Sequence, residues 1–141
     1  MTELRVLLDL NIVMDVLARR QLFYENSAKV WAAAESGWVE GYIAAHSLTN
    51  IYYLLNRHCA RKEAALAVAD LMRVFSVATV GRDVLYQALT LGWKDFENAV
   101  QVVAAAQAGA TFIVTRSPAD YPNSPVPLIS PGELLTNLQV K

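Results

Sequence analysis

The chain alternates between short apolar runs and longer stretches in which apolar residues recur at helical spacing. The run at residues 6–8 is apolar throughout and ends at a charged residue, which is typical of a strand buried on both faces of a parallel sheet. Just after it, Ile12, Val13, Val16 and Leu17 share one face of a predicted helix. The pattern predicts strands at residues 4–8, 39–44, 77–80, 111–115 and 127–129.

Glycine, serine and proline mark where the predicted helices begin and end. Gly37 and Gly109 follow helical stretches and are natural stops. Ser47 can cap a helix, and Asn50 stands three residues later at capping-box spacing. Pro131 suits the first turn of a helix. The predicted helices cover residues 10–20, 24–36, 47–57, 62–75, 83–93 and 96–108, and a last one begins at residue 131.

The alternation of strands and helices predicts the α/β class. Parallel strands joined by crossover helices form a three-layer α/β/α sandwich around a central parallel sheet. The long helical stretches between the second and fourth strands predict a helical arm beside that sheet. We expect one domain over residues 1–141. Ligand sites in such folds lie beyond the carboxyl ends of the strands, so the polar residues that follow each strand are the candidates.

Composition and charge narrow the choice of partners. The chain is 55% hydrophobic and 18% charged, and its net charge of −1 gives no global attraction to nucleic acid. An RNA partner would therefore need a local basic patch. Cys59 is the single cysteine, which excludes an internal disulfide framework, and with His46 and His58 it provides no structural zinc set.

The amino-terminal segment has neither a signal-peptide nor a membrane-spanning pattern. Asp9, Asp15 and the pair Arg19 and Arg20 interrupt its apolar residues. No uncharged run approaches the roughly 18 residues that a membrane helix needs. We expect a cytoplasmic protein with no membrane partner.

Asp9 is the first candidate for chemistry, because it follows the first strand at the edge where α/β sheets present active-site acids. An Asp before a helix also caps free backbone amides, so the sequence leaves both interpretations open. Asp15 lies more than one helical turn further on. It is interpreted as a solvated residue or as a group that stands behind the site.

Two later stretches also carry acids next to predicted elements. Asp95 and Glu97 begin a helix, where acids also complement the helix dipole. Asp120 follows the strand that ends near Thr115, and it could equally be a turn residue. A third stretch contains Tyr52 and Tyr53, which are interpreted as core or interface aromatics.

Five stretches follow one another in a characteristic order: Leu7 to Asn11, Ser47 to Leu55, Asp95 to Gln101, Gly109 to Tyr121 and Pro127 to Leu135. Each is a weak motif alone, but their order and separations resemble the PIN domain family over nearly the whole chain. This family consists of small α/β nucleases, many of them ribonuclease toxins of VapC-type toxin–antitoxin pairs.

The resemblance implies a site in which about four carboxylates hold one or two Mg²⁺ or Mn²⁺ ions, which ionise a water for attack on an RNA phosphodiester. Asp9 and Asp120 match the family's positions and are the expected metal ligands. They are also expected to be catalytic, together with Asp95. Three further residues are expected to support the site, namely Asn11, Glu97 and Thr115.

Three positions depart from the family pattern. Asn50 and Asn98 stand where the family has carboxylates, and Ser117 replaces a common Asn. A neutral amide oxygen lacks the charge that attracts a divalent ion, so Mg²⁺ or Mn²⁺ binding is expected to be weak or absent. One ion could still be held by one or two carboxylates together with water and substrate phosphate.

The resemblance also implies partners, namely single-stranded RNA, an antitoxin protein and a second copy of the chain in a homodimer. The region from Ile51 to Leu71 is the expected dimer or antitoxin surface. Scattered charges could form a phosphate-binding patch or could simply be solvated; they are Arg19, Arg20, Arg57, Arg61 and Lys62.

Three functional hypotheses follow. The first is a metal-dependent ribonuclease with a reduced acidic site, and the second is a catalytically impaired PIN-fold module that binds RNA or protein. The third, a haloacid-dehalogenase-like phosphatase, needs a second Asp two residues after the first, where this chain has Asn11.

Overall fold

The computed structural model describes residues 4–139, which form a parallel sheet with helices on both faces. Within this range the sheet has five strands in the order β3-β2-β1-β4-β5, and every neighbouring pair is parallel. The strands are β1 (Arg5–Leu8), β2 (Glu40–Ala44), β3 (Ser76–Ala78), β4 (Phe112–Val114) and β5 (Leu128–Ile129). The predicted α/β class and central parallel sheet are confirmed.

The helices follow the predicted order with small changes at their ends. They are α1 (Leu10–Leu17), α2 (Tyr24–Glu35), α3 (Ala45–Asn56), α4 (Arg61–Val74), α5 (Arg82–Thr90), α6 (Phe96–Gln107) and α7 (Pro131–Gln139). A short 3₁₀ turn covers Pro118–Asp120. The prediction ran α1 on to residue 20, but Arg19 has a left-handed φ of 50° and the helix has already ended there.

The predicted helix cap at Ser47 is wrong. Helix α3 begins two residues earlier, directly after β2, and its cap position is Ala44. Ser47 lies in the first turn with a buried side chain, and its hydroxyl donates to the side chain of Gln101. The serine therefore serves a tertiary contact rather than the helix end.

The strands alternate their side chains between two hydrophobic cores, one on each face of the sheet. Val6 and Leu8 of β1 belong to the core that α1, α2 and α7 cover, with α3 and α4 contributing at its edge. Leu7 points the other way, into the core that α5 and α6 cover. This alternation, which period-2 geometry imposes on a strand, accounts for the fully apolar run and for the three-layer arrangement.

Helices α3 and α4 pack on each other and form the helical arm between β2 and β3. Ile51 and Leu71 anchor the arm in the core, while Tyr53, Leu66 and Met72 are exposed. Within residues 4–139, no helix is both long enough and apolar enough to cross a membrane.

Gly41, in the middle of β2, is required because there is no room for a side chain. A Cβ atom there would lie 2.7 Å from Cδ1 of Phe75 and 3.1 Å from Cβ of Ala34. We expect Gly41→Ala to lower the free energy of unfolding by roughly 1–3 kcal/mol through overpacking, measured by chemical denaturation. Gly81→Ala is the matched control, because a Cβ at Gly81 would meet nothing within 4 Å. Equal stability of the two variants would contradict the packing explanation.

Candidate functional site

Asp9 is buried at the carboxyl end of β1, and only 7% of its surface is exposed. Its backbone amide donates to the carbonyl of Val114 on β4 over 3.0 Å. Its Oδ1 accepts from the amide of Asn11 at 3.4 Å, and its Oδ2 accepts from the Thr115 hydroxyl at 2.9 Å. Asp9 therefore caps α1, which is one of the two interpretations left open by the sequence, and its carboxylate lies at the edge of the sheet where the other interpretation expects an active-site acid.

Gln101 of α6 is the residue that ties the site together, and the sequence analysis missed it. Its buried amide nitrogen lies within hydrogen-bonding distance of three acceptors: Asp9 Oδ1 at 3.4 Å, Asn98 Oδ1 at 3.2 Å and the Tyr121 hydroxyl at 2.8 Å. Its Oε1 accepts from the hydroxyl of Ser47 at 3.4 Å. The sequence feature that could have identified Gln101 is a single amide side chain among the alanines and valines of the buried face of α6.

The buried hydroxyl of Tyr121 lies 2.8 Å from the side-chain nitrogen of Gln101, which also reaches Asp9 and Asn98. Burial raises the pKa of Tyr121, and the negative charges of Asp9, Asp95 and Asp120 raise it further. The phenol thus stays protonated beside the acids. Tyr121 also packs edge-on against Trp93, with ring centroids 6.1 Å apart.

Asp95 is held by the helix that it begins. Its Oδ1 accepts from the backbone amide of Asn98 at 3.1 Å, and its Oδ2 accepts from the Asn98 side chain at 3.2 Å. The same Asn98 nitrogen lies 3.4 Å from the carbonyl oxygen of Asp120, in the exposed 3₁₀ turn. Asp95 is therefore a helix cap, and Asn98 bridges it to the turn that carries Asp120.

Asn50 makes a second pair between an amide and an acid, this time with Glu97 of α6. Its side-chain nitrogen donates to the Glu97 carboxylate through a short hydrogen bond that joins α3 to α6. His46 lies beside this pair, with Nε2 3.2 Å from the Glu97 carbonyl oxygen. Burial lowers the pKa of His46 more than the nearby Glu97 raises it, which favours the neutral ring.

Asp15 is the residue whose surroundings differ most from expectation. It is 0% exposed, so its interpretation as a solvated residue is wrong and the interpretation as a group behind the site is the one that fits. Arg116 donates to both of its oxygens at 2.8 Å, and Ser27 donates to Oδ2 at 3.0 Å. Arg20 lies 3.4 Å from Oδ1 and also donates to the Asn11 side chain at 3.0 Å. Because Asn11 and Thr115 both contact Asp9, this cluster adjoins the acidic site.

Ser117 contributes through its backbone. Its amide donates to the Thr115 hydroxyl at 3.1 Å, which orients that hydroxyl toward Asp9. The contact helps to keep Thr115 in place beside Asp9.

The oxygen-rich site has the chemistry that Mg²⁺ or Mn²⁺ prefers, but it is not a cage of carboxylates. In the part of the chain that the structure describes, no three His, Cys, Asp or Glu side chains lie close enough to hold a metal ion together. The residues fit a reduced site, in which one or two carboxylates bind an ion whose other ligands are water and phosphate.

Comparison with known proteins identifies a matching family profile and several solved structures with a similar fold. The sequence profile of the PIN domain matches residues 5–118. No curated protein matches the chain in sequence. Of the solved structures with a similar fold, DNA-bound VapBC from Salmonella typhimurium has a TM-score of 0.71 and 12% identity, covering 91% of this chain and 98% of its own.

Two further structures are similar to the same extent. VapC20 from Mycobacterium tuberculosis, a toxin that cleaves the sarcin–ricin loop, has a TM-score of 0.67 and 17% identity over 82% of this chain and 92% of its own. A toxin–antitoxin complex from Klebsiella pneumoniae has a TM-score of 0.66 and 17% identity over 89% of this chain and 97% of its own. At these identities the likeness is one of fold.

Removing the buried charge of Asp15 tests the cluster that adjoins the site. We expect Asp15→Asn to lower the free energy of unfolding by about 2–3 kcal/mol, somewhat less than for a fully buried pair, because Arg116 partly reaches solvent. Asp70→Asn breaks an exposed pair with Arg73 and is expected to cost less than about 1 kcal/mol. Chemical denaturation measures both, and similar losses would contradict a structural role for the Asp15 cluster.

Proposed function

This chain belongs to the PIN domain family, and on that premise we propose that it is a toxin-type ribonuclease with a reduced acidic site. Its substrate is single-stranded RNA, its regulator is an antitoxin protein, and residues 1–141 act as one PIN-like domain in the cytoplasm. The resemblance to VapC-type toxins and the similar folds of toxin structures support this proposal.

The observation that carries the proposal is the hydrogen-bonded network that links Asp9, through Gln101 and Asn98, to Asp95 and to the backbone of Asp120. These acids come from the end of β1, the start of α6 and the turn after β4, and they meet beyond the carboxyl ends of the strands. That edge is where α/β folds bind their ligands.

The chain's own residues would hold the reacting groups in place. Thr115 and Gln101 fix the carboxylate of Asp9 from two sides, so it does not need to reorganise when substrate arrives. Asp9 and Asp120 would hold a Mg²⁺ or Mn²⁺ ion, which when bound would ionise a water and stabilise the leaving oxygen of the phosphodiester. Asp95 and Glu97 flank this position at the start of α6.

We assign the helical arm as the surface that binds the antitoxin and a second copy of the chain. Tyr53, Leu66 and Met72 expose large apolar side chains on α3 and α4, inside or next to the surface expected from the sequence. Apolar side chains of this kind favour burial against a protein partner.

A second candidate function is supported by the two amide–acid pairs. Asn50 with Glu97, and Asn98 with Asp95, put neutral amides where active family members have carboxylates, and they use those acids as hydrogen-bond acceptors. A site organised in this way suits a catalytically impaired module that binds RNA or protein.

Loss of the Asp9 charge tests the first candidate. We expect purified protein to cleave single-stranded RNA in the presence of Mn²⁺, and Asp9→Asn to lower the rate by at least about 100-fold, the scale for removing a catalytic group. Asp70→Asn, on the exposed face of α4, is the control and should cleave at the normal rate. If the unaltered protein neither cleaves RNA nor binds Mn²⁺ in calorimetry, the ribonuclease proposal is wrong and the impaired module stands.

Restoring the two carboxylates tests whether the amides are what limits the site. We expect Asn50→Glu combined with Asn98→Asp to strengthen Mn²⁺ binding by at least several-fold, because two negative charges are added next to Glu97 and Asp95. Calorimetric titration measures this change, with Asn137→Asp on α7 as a charge control. A double variant that binds no Mn²⁺ would show that the groove has diverged beyond these two positions.

A further inference from the structure

Arg116 is held in one orientation by two kinds of contact, an ion pair and a ring contact. Its guanidinium donates to both oxygens of Asp15, and its central carbon lies 3.7 Å from the ring centroid of Phe23. A bidentate pair with a fully buried carboxylate fixes the plane of the guanidinium, and the ring stacks on it. The side chain nevertheless keeps 25% of its surface exposed, so this rigid cation is accessible from outside.

The aromatic partner of this cation is also accessible. Phe23 is 40% exposed in the connection between α1 and α2, and Leu22 beside it is exposed as well. Exposed aromatic rings stacked with arginine are the surfaces on which single-stranded nucleic acids place their bases. We call Phe23, Arg116 and Arg20 the stacking rim.

The stacking rim is positively charged, and it lies next to the acidic site. Arg20 and Arg116 both bind Asp15, so two cations share one buried carboxylate. The rim adjoins Asp9 in two ways, because Arg20 donates to Asn11, whose amide donates to Asp9, and Arg116 follows Thr115, whose hydroxyl donates to Asp9. The negative charge of an RNA phosphate would therefore be attracted to these two arginines and repelled by the carboxylates of the acidic site.

We infer that the stacking rim is a nucleotide-binding subsite, in which a base of single-stranded RNA stacks on the Phe23–Arg116 pair and an adjacent phosphate contacts Arg20. This rests on the proposed function for the identity of the ligand, and it deepens that function by assigning the RNA-binding residues beside Asp9. Stacking involves the face of the ring and reads no base edge, so the subsite takes any base. Its role is to position the RNA backbone toward the acidic site.

Binding without metal tests the subsite independently of cleavage. The probe is a fluorescently labelled oligouridylate, titrated in EDTA and followed by anisotropy. We expect Phe23→Leu to weaken binding by roughly 5- to 100-fold, the effect of losing one stacking partner. Leucine keeps the apolar bulk, so the variant should fold, and thermal unfolding checks this. Tyr86→Leu is the control, since Tyr86 is 69% exposed on α5 and belongs neither to the stacking rim nor to the helical arm.

An abasic oligomer with the same sugar–phosphate backbone separates the base from the phosphate. Phe23→Leu should bind this probe as the unaltered protein does, because there is no base to stack. Arg20→Gln should weaken binding of both probes and lower the salt dependence of affinity by about one phosphate contact.

Three outcomes overturn the subsite: no binding of the oligouridylate by the unaltered protein, equal affinity of Phe23→Leu and unaltered protein, or an equal loss of affinity for the abasic probe. The second of these would assign the rim to a protein partner or to structure alone. Failure of the proposed function gives a different result. The protein would then bind the oligouridylate through Phe23 but would not cleave RNA with Mn²⁺. In that case the subsite stands and the ribonuclease activity does not.

Discussion

Burial of the Asp9 carboxylate is the constraint on which the rest of the site depends. A charge taken out of water must be matched by donors, and at Asp9 the donors come from three separate parts of the fold. The amide of Asn11 comes from α1, the side chain of Gln101 from α6 and the hydroxyl of Thr115 from the end of β4. Only the parallel order β2-β1-β4, with α6 packed on one face, brings these groups to one point.

The same requirement explains why amides are so prominent around the acids. Asn50, Asn98 and Gln101 each donate to a carboxylate, and each can also accept. They therefore tie the acids to α3, to the turn after β4 and to Tyr121. The same hydrogen-bonded network underlies both proposed functions, the ribonuclease and the impaired binding module.

The sequence predicted the parts of this structure that depend on local pattern. Buried apolar runs located β1 and β4 to within a residue, and the acids that follow them were expected at the edge of the sheet. It could not predict contacts that depend on distant partners. It left two interpretations of Asp15 open, because Arg116, which pairs with it, lies 101 residues away. The role of Gln101 was missed because Gln101 meets Asp9 across 92 residues. Ser47 was assigned to a helix cap because nothing local shows that its hydroxyl turns inward.

These separations also bear on how the protein is made. Asp9 and Asp15 are synthesised early, whereas Thr115 and Arg116 follow about one hundred residues later, and at Asp9 the separation is 106. At a translation rate of roughly 5–20 residues per second, the partners of both carboxylates are therefore synthesised several seconds after the carboxylates themselves. A single short segment after β4 supplies residues to both the acidic site and the stacking rim. A nascent chain that ends before this segment therefore contains neither in complete form.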